Sequence, residues 1–152
     1  MTRIEQLLHS AANPVLISVH PIFAAEIAAG RKKVEFRRRW SKMPTDVLVV
    51  YATAPIKAIV AVAEVSEVRR AGHAHLWEIC KSFGGAITRA RLRDYMHDLD
   101  RGVAILLGRL DVPKIGISPL EAFGSDFVPP QSYRYLRAEE VESLIELFAR
   151  QE

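Results

Sequence analysis

The sequence is poor in the features that define several protein classes. Its 152 residues include one cysteine, Cys80, which excludes an internal disulfide and a cysteine-based metal knuckle. No apolar run approaches the roughly 20 residues that a membrane-spanning helix needs, and the residues after Met1 lack the apolar stretch of a signal peptide. With 8 glycines, 8 prolines and 49% hydrophobic residues, the chain is neither collagen-like nor disordered. We expect a cytoplasmic protein with no membrane partner.

The pattern of apolar residues predicts an α+β fold. A chain of this length fits one domain, which we expect to span residues 1–152. β-branched and apolar runs predict strands at 15–19, 33–37, 46–51, 58–68, 103–112 and 131–136. Helical spacing predicts helices at 2–12, 22–29, 73–83, 88–99, 119–123 and 138–150, the first and last being flanking elements. Strands that precede and follow a helical pair indicate a small mixed or antiparallel β-barrel with peripheral helices.

Positive charge is concentrated in one short segment. The net charge of +3 and the pI of 9.2 are weak signals by themselves. Between Arg31 and Lys42, however, seven of twelve residues are cationic and Glu35 is the only acid. Phe36 and Trp40 lie in the same run, so aromatic rings stand beside phosphate-binding charge. This combination is typical of single-stranded nucleic-acid binding, although a solvated surface also accounts for a charge run.

Three blocks of motifs follow one another along most of the chain. The first comprises residues 16–21 and, after a short helix, a Gly-x-Lys-x-x-Glu-x-Arg pattern at 30–37. The second comprises residues 50–55 with 59–60, and the third residues 119–124 with 129–136. Together they resemble the ASCH domain family. The pattern alone is moderately specific, whereas the three blocks in order are hard to obtain by chance.

The resemblance implies both a fold and a set of functions. The fold would be similar to the PUA domain, a β-barrel surrounded by helices, with a cleft for RNA or nucleotides. Some family members are linked to ribonuclease activity, and a smaller branch to acetylcytidine amidohydrolysis. We therefore expect an RNA-binding protein, with ribonuclease activity on single-stranded RNA as the enzymatic form. The alternatives are a hydrolase of a modified nucleoside and a non-enzymatic regulator of translation or transcription.

Three residues are candidates for catalysis. Lys32 matches the family lysine, and it can bind a phosphate or stabilise charge that develops in a transition state. Glu35 can act as a general base, or it can hold neighbouring cations in place. Ser132 has no local base partner, so we expect it to act as a hydrogen-bonding group rather than as an activated nucleophile.

A larger set of residues is expected to bind RNA: His20, Arg37, Arg38, Trp40, Gln131, Tyr133 and Arg134. Trp40 offers an exposed stacking surface and Tyr133 a second ring. Gln131 can read a base edge, and Arg134 suits bidentate phosphate contact.

The candidate residues are predicted to converge. A strand over residues 33–37 would direct Lys33, Glu35 and Arg37 to solvent, and Val34 and Phe36 to the core. Closing a small barrel brings early and late strands together. We therefore expect the side chains of Lys32, Glu35, Arg37, Ser132 and Arg134 to share one concave surface.

No cofactor or metal is expected. His73 and His75 are two residues apart, which places them on different faces of a helix, and nothing nearby completes a ligand set. The amidohydrolase branch has a Thr where Glu35 stands and a Glu in the turn between the two central helices, which here is Gly84-Gly85-Ala86. That activity therefore ranks below RNA binding or cleavage.

Overall fold

The computed structural model describes residues 2–151 and has a six-stranded mixed sheet at its centre. The strands are β1 Val15–Val19, β2 Val34–Arg37, β3 Val47–Ala52, β4 Ala58–Ala71, β5 Gly102–Asp111 and β6 Tyr133–Tyr135. The helices are α1 Arg3–His9, α2 Pro21–Ala28, α3 His73–Phe83, α4 Arg89–Tyr95, α5 Pro119–Phe123 and α6 Ala138–Ala149.

The sheet is mixed, and irregularities in its strand pairing curl it. The strand order is β2-β5-β4-β3-β1-β6, with β1 and β3 parallel and the other neighbours antiparallel. Register shifts interrupt the pairing of β3 with β4 and of β4 with β5, and such bulges bend a strand and increase its twist. The result is a curled half-barrel with peripheral helices, which confirms the predicted fold class.

The predicted elements are present, with differences at several ends. Strand β4 continues to Ala71 because it remains paired with β5 as far as Gly102. Helix α4 ends at Tyr95, four residues before the predicted end, because Met96 leaves the helical conformation. Strand β6 has three residues rather than six, and it pairs with β1 from Ile17 back to Val15.

Both faces of the sheet are covered by apolar side chains. Helices α1, α5 and α6 pack on one face, where Leu16, Ile59 and Leu144 belong to one buried cluster. Helix α2 and Trp40 cover the other face around Ile17 and Val50. The largely apolar character of β1 and β3 follows from this arrangement, because both faces of a covered strand enter an apolar interior.

The predicted solvent face of β2 is wrong. Val34 and Phe36 are buried against α3 and α4, as expected. Glu35, however, is only 5% exposed, and the side chain of Arg37 is only 11% exposed, while Lys33 alone faces solvent. Because the sheet curls, the second face of β2 is turned toward the inside of the half-barrel.

The turn after α3 tolerates no side chain at Gly85. A Cβ there would lie 2.4 Å from Sγ of Cys80 and 2.9 Å from Cε2 of Phe36. Overpacking of this kind costs about 1–3 kcal/mol, so we expect Gly85→Ala to lower the free energy of unfolding by that amount in urea denaturation. Gly72→Ala is the matched control, since its Cβ would meet nothing nearer than 3.6 Å. Equal stability of both variants would contradict the packing argument.

Candidate functional site

A cavity of about 330 Å³ lies between α2, β2 and α4. It is lined by Val19, His20, Phe23, Lys32, Glu35, Phe36, Arg37, Ile87, Arg91 and Tyr95. Apolar walls around a few polar groups are characteristic of ligand sites. The cavity contains both the predicted lysine and the predicted glutamate, and these two ionisable side chains are almost fully buried.

The local sequence explains how the chain forms one wall of this cavity. His20 follows β1 directly and caps α2, its Nδ1 accepting a hydrogen bond from the Ile22 N–H at 3.2 Å. Pro21 occupies the first turn of the helix, where its missing N–H has no cost. Gly30, with a φ of +79°, ends this segment in the left-handed region that glycine favours. The chain then reverses, and Lys32 enters the cavity just before β2.

Lys32 is held in an apolar environment by one hydrogen bond. Its Nζ donates to the carbonyl of Gly85 at 2.5 Å. The same atom lies 5.0 Å from the ring centre of Phe23 and 5.3 Å from that of Phe36. Burial lowers the pKa of Lys32 below its ordinary value, and the nearby charge of Glu35 opposes this effect. The cavity therefore holds an amine that loses its proton more readily than an exposed lysine does.

Arg37 connects the two edges of the sheet. From β2 its guanidinium donates to the carbonyl oxygens of Ser18 and Ser132, at 3.2 and 3.3 Å, and to Oγ of Ser132 at 2.8 Å. It also pairs with Oε2 of Glu35 at 3.3 Å. Ser132 directly precedes β6, so these bonds join the first and last strands of the strand order. Three of the predicted site residues, Glu35, Arg37 and Ser132, therefore meet at this guanidinium.

A shallow groove leads away from the cavity. The connecting groove is lined by Arg37, Arg38, Arg39, Tyr95, Gln131, Ser132 and Tyr133 and has a volume of about 530 Å³. It shares Arg37 and Tyr95 with the cavity, so the two depressions are adjacent. The structure thus brings Arg38, Gln131 and Tyr133 together with the residues around Lys32.

The predicted exposure of Trp40 is wrong. Trp40 is only 8% exposed, and its ring packs against that of Tyr133 at a centroid distance of 4.6 Å. A large ring that follows β2 is drawn into the apolar interior of the half-barrel, where burial is favourable. Trp40 is therefore a packing residue under the groove and not a free stacking surface.

The predicted position of Arg134 is also wrong. Its guanidinium forms two hydrogen bonds with the carboxylate of Glu140, at 2.8 and 2.9 Å, and lies over the ring of Phe123. Neighbouring residues of a strand point to opposite faces, so Tyr133 faces the groove and Arg134 faces α6. Burial alone would raise the pKa of Glu140, but hydrogen bonds from Arg134 and from the Arg137 N–H outweigh it and lower that pKa.

Sequence reasoning missed several residues of the cavity wall. Phe23, Ile87 and Tyr95 line the cavity but carry no motif. Arg91 of α4 lies over the ring of Phe23 with its Cζ 5.5 Å from the centroid. These residues are identified only by the tertiary structure, which places α2 and α4 on either side of the cavity.

Residues 2–151 contain neither a cluster of metal ligands nor a helix that could cross a membrane. No group of three or more His, Cys, Asp or Glu residues in this part of the chain could hold a metal ion. None of its helices is long and apolar enough to cross a membrane.

The Arg37 contacts predict strong coupling between Arg37 and Glu35. Removing one partner of a buried ion pair leaves the other without compensation, which costs about 3 kcal/mol. We expect Arg37→Gln to lower the free energy of unfolding by that amount. Combined with Glu35→Gln, it should destabilise the protein by less than the sum of the single changes, as measured by urea denaturation in a double-mutant cycle.

Arg31→Gln serves as the control for this cycle. It breaks the exposed pair of Arg31 with Glu26, and exposed ion pairs contribute little. Additive effects of the changes at positions 35 and 37 would show that the pair is not coupled.

Burial of Lys32 predicts a pH-dependent stability. Because its folded pKa is lowered from 10.5, the unfolded chain binds this proton more tightly than the folded protein does. The free energy of unfolding therefore rises with pH between the folded pKa and 10.5. We expect the stability of the wild type relative to Lys32→Met to increase as the pH rises through this alkaline range. Lys33→Met controls for the loss of a neighbouring charge, and the same trend in that variant would refute the assignment to Lys32.

Comparisons with known proteins agree with this structure. A family model described as the ASCH domain matches residues 17–127. A relative from Zymomonas mobilis named "ASCH domain-containing ribonuclease" is 30% identical over 141 residues, which cover 90% of this chain and 93% of the relative. The crystal structure of ASCH from Zymomonas mobilis superposes with a TM-score of 0.81, covering 89% of this chain and 95% of that one at 30% identity.

Two further crystal structures of the Zymomonas mobilis protein are similar. They carry a tyrosine-to-phenylalanine and a serine-to-alanine substitution, with TM-scores of 0.81 and 0.80 and 29% identity in both cases. The alignments cover 90% and 89% of this chain, and 99% and 96% of the respective variant chains. The family match spans most of the chain, and the relatives are matched over nearly their whole length. The chain belongs to the ASCH domain family.

Proposed function

We propose that this protein binds single-stranded RNA in the cytoplasm and cleaves it, with one nucleotide in the cavity beside Lys32 and Glu35. The observation that carries the proposal is the burial of these two ionisable side chains at a cavity with aromatic walls. Burying charge is costly, and sites of chemistry are where proteins retain such groups. The ribonuclease name of the 30% identical relative supports the same reaction.

The walls of the cavity suit a nucleobase. Phe23 and Phe36 provide ring surface, and stacking on aromatic side chains is the common way to hold a splayed base. Gln131 and Tyr133 line the adjoining groove, where a neighbouring nucleotide would lie. The cationic side chains of Arg37 and Arg91 stand at the cavity, where a phosphate would be attracted.

The cleavage step follows from these positions. The Glu35 carboxylate removes the proton of a 2′-hydroxyl, whose oxygen then forms a bond to the adjacent phosphorus. The bond from phosphorus to the 5′-oxygen breaks, which leaves a 2′,3′-cyclic phosphate, and a proton from water or from the Lys32 ammonium completes the leaving hydroxyl. Lys32 also places a hydrogen-bond donor where negative charge accumulates. Arg37 positions Glu35 through the contact to Oε2.

The two substituted variants of the relative point to the segment before β6. The same number of residues separates the substituted tyrosine and serine of that protein as separates Tyr51 and Ser132 here. Ser132 accepts the hydrogen bond from Arg37. Tyr51 is buried, its ring meets Phe127 edge-on at 5.7 Å, and burial raises the pKa of its hydroxyl. We assign both residues a positioning role for residues 127–132.

A hydrolase of a modified nucleoside is the competing function, because the cavity is small enough to enclose one nucleoside. The turn between α3 and α4 contributes the Gly85 carbonyl to Lys32 and no carboxylate, which favours the RNA reaction. Thermal shifts with a nucleoside panel distinguish the two functions, since a ligand at 100 times its Kd adds about 2.7 kcal/mol. A nucleoside that stabilises the protein, without cleavage of RNA, would support the hydrolase.

The test of RNA cleavage compares two neighbouring lysines. We expect Lys32→Met to reduce the cleavage rate of a labelled single-stranded RNA by about 100-fold, because it removes the donor inside the cavity. Lys33→Met removes the same charge from the exposed next position and should cleave within about twofold of the wild-type rate.

Identical purification and a parallel reaction with chelator complete this experiment. Equal cleavage by the wild type and Lys32→Met would indicate a contaminating nuclease and would refute the proposal. RNA binding without cleavage by any preparation would instead support a non-enzymatic regulator.

A further inference from the structure

A second basic depression lies beside the connecting groove. This lateral groove has a volume of about 600 Å³ and is lined by Arg38, Arg39, Trp40, Lys42, Arg70, Arg101, Gly102 and Val103. Five of these residues are cationic and none is acidic. The groove shares Arg38 and Arg39 with the connecting groove, which in turn shares Arg37 and Tyr95 with the cavity. The lateral groove, the connecting groove and the cavity therefore lie next to one another, in that order.

The charges of the lateral groove are largely uncompensated. Arg38 pairs with Asp98 at 2.6 Å. Arg70 donates to the carbonyl of Ser41 and Arg101 to the carbonyl of Arg70. These two guanidinium groups are thus held in place, and neither pairs with a carboxylate in the part of the chain that the structure describes.

Two further cations of the groove are exposed. Within residues 2–151, Arg39 and Lys42 have no hydrogen bond or ion pair. Like charges that converge on a concave surface repel one another unless an anion offsets them.

The residues beneath the lateral groove are well packed. Arg70 lies near the end of β4 and pairs in register with Val103 of β5. Trp40 packs on Tyr133 beneath the surface, and the Arg70 bond to Ser41 ties the segment after β2 to β4. The cations are thus contributed by three separate parts of the chain to one side of the molecule.

We infer that the lateral groove binds the sugar-phosphate backbone of the RNA strand whose nucleotide occupies the cavity. The inference rests on the proposed function and defines its substrate as an extended strand rather than a mononucleotide or nucleoside. Four of the five cations are arginines, whose planar fork matches phosphate oxygens. The connecting groove, between the lateral groove and the cavity, is lined by Gln131 and Tyr133, which suit bases and favour RNA over an acidic polypeptide.

The test compares long and short ligands in fluorescence anisotropy. The probes are a labelled 2′-O-methyl oligouridylate of about 12 nucleotides, within the size range of single-strand sites, and the corresponding dinucleotide. We expect the combined change Arg70→Gln and Arg101→Gln to weaken binding of the long probe about tenfold. It should also reduce the slope of log affinity against log salt by about 1.4, corresponding to two phosphate contacts. The affinity for the dinucleotide should change less than twofold.

The control removes the same charge elsewhere. Arg89→Gln combined with Arg93→Gln alters two exposed arginines of α4 that line a different depression, and should leave both affinities within about twofold. Arg39→Gln combined with Lys42→Gln provides a second groove variant and should weaken the long probe as the first does. This second variant decides the test if loss of the Arg70 and Arg101 contacts unfolds the protein.

Several outcomes would overturn the inference. They are equal losses in the groove and control variants, a dinucleotide as tightly bound as the long probe, or displacement of the probe by polyglutamate at the concentration at which unlabelled RNA displaces it. In each case, Lys32-dependent cleavage of RNA would leave the proposed function intact. Failure of the wild type to bind or cleave any RNA would instead refute the proposed function itself.

Discussion

The Arg37 guanidinium is the contact on which the arrangement of the site depends. The sheet is a half-barrel whose edge strands, β2 and β6, each have one strand neighbour within residues 2–151. Arg37 of β2 reaches the opposite edge of the sheet by donating to Ser18 of β1 and to Ser132, which directly precedes β6, where a closed barrel would use a backbone ladder. A planar group with five donors can satisfy acceptors from several directions, which a lysine at this position could not do.

This closure has a consequence for Glu35. The same guanidinium that joins the edges also pairs with the buried carboxylate, so the geometry of the candidate general base is tied to the geometry of the sheet. A buried charge pair is weak as a source of stability. Its position between the cavity and the edge of the sheet therefore indicates that it is retained to hold a defined arrangement of groups.

Lys32 is buried in a different environment, an apolar cavity. Its amine lies in an apolar cavity against two phenylalanine rings and has the Gly85 carbonyl as its hydrogen-bond acceptor. Water would solvate this group better than the cavity does, which is why burial lowers its pKa. The narrow turn at Gly85 makes the arrangement possible, because any larger residue would collide with Cys80 and Phe36.

The sequence by itself determined the elements of this protein and one half of its site. Periodicity and capping residues predicted the strands and helices, because these signals are local. For example, α2 begins at Pro21 and its segment ends at Gly30, and α3 ends at the paired glycines after Phe83. The motif around Lys32 and Glu35 was likewise visible, since its members lie within one turn and one strand.

Only the tertiary structure decided which distant residues join Lys32 and Glu35. It directed Arg134 to Glu140, buried Trp40 against Tyr133, and brought Arg70 and Arg101 beside Arg39. The physical reason is that the curl of the sheet selects which face of each strand is enclosed, and that curl arises from bulges and pairings between segments far apart in the chain.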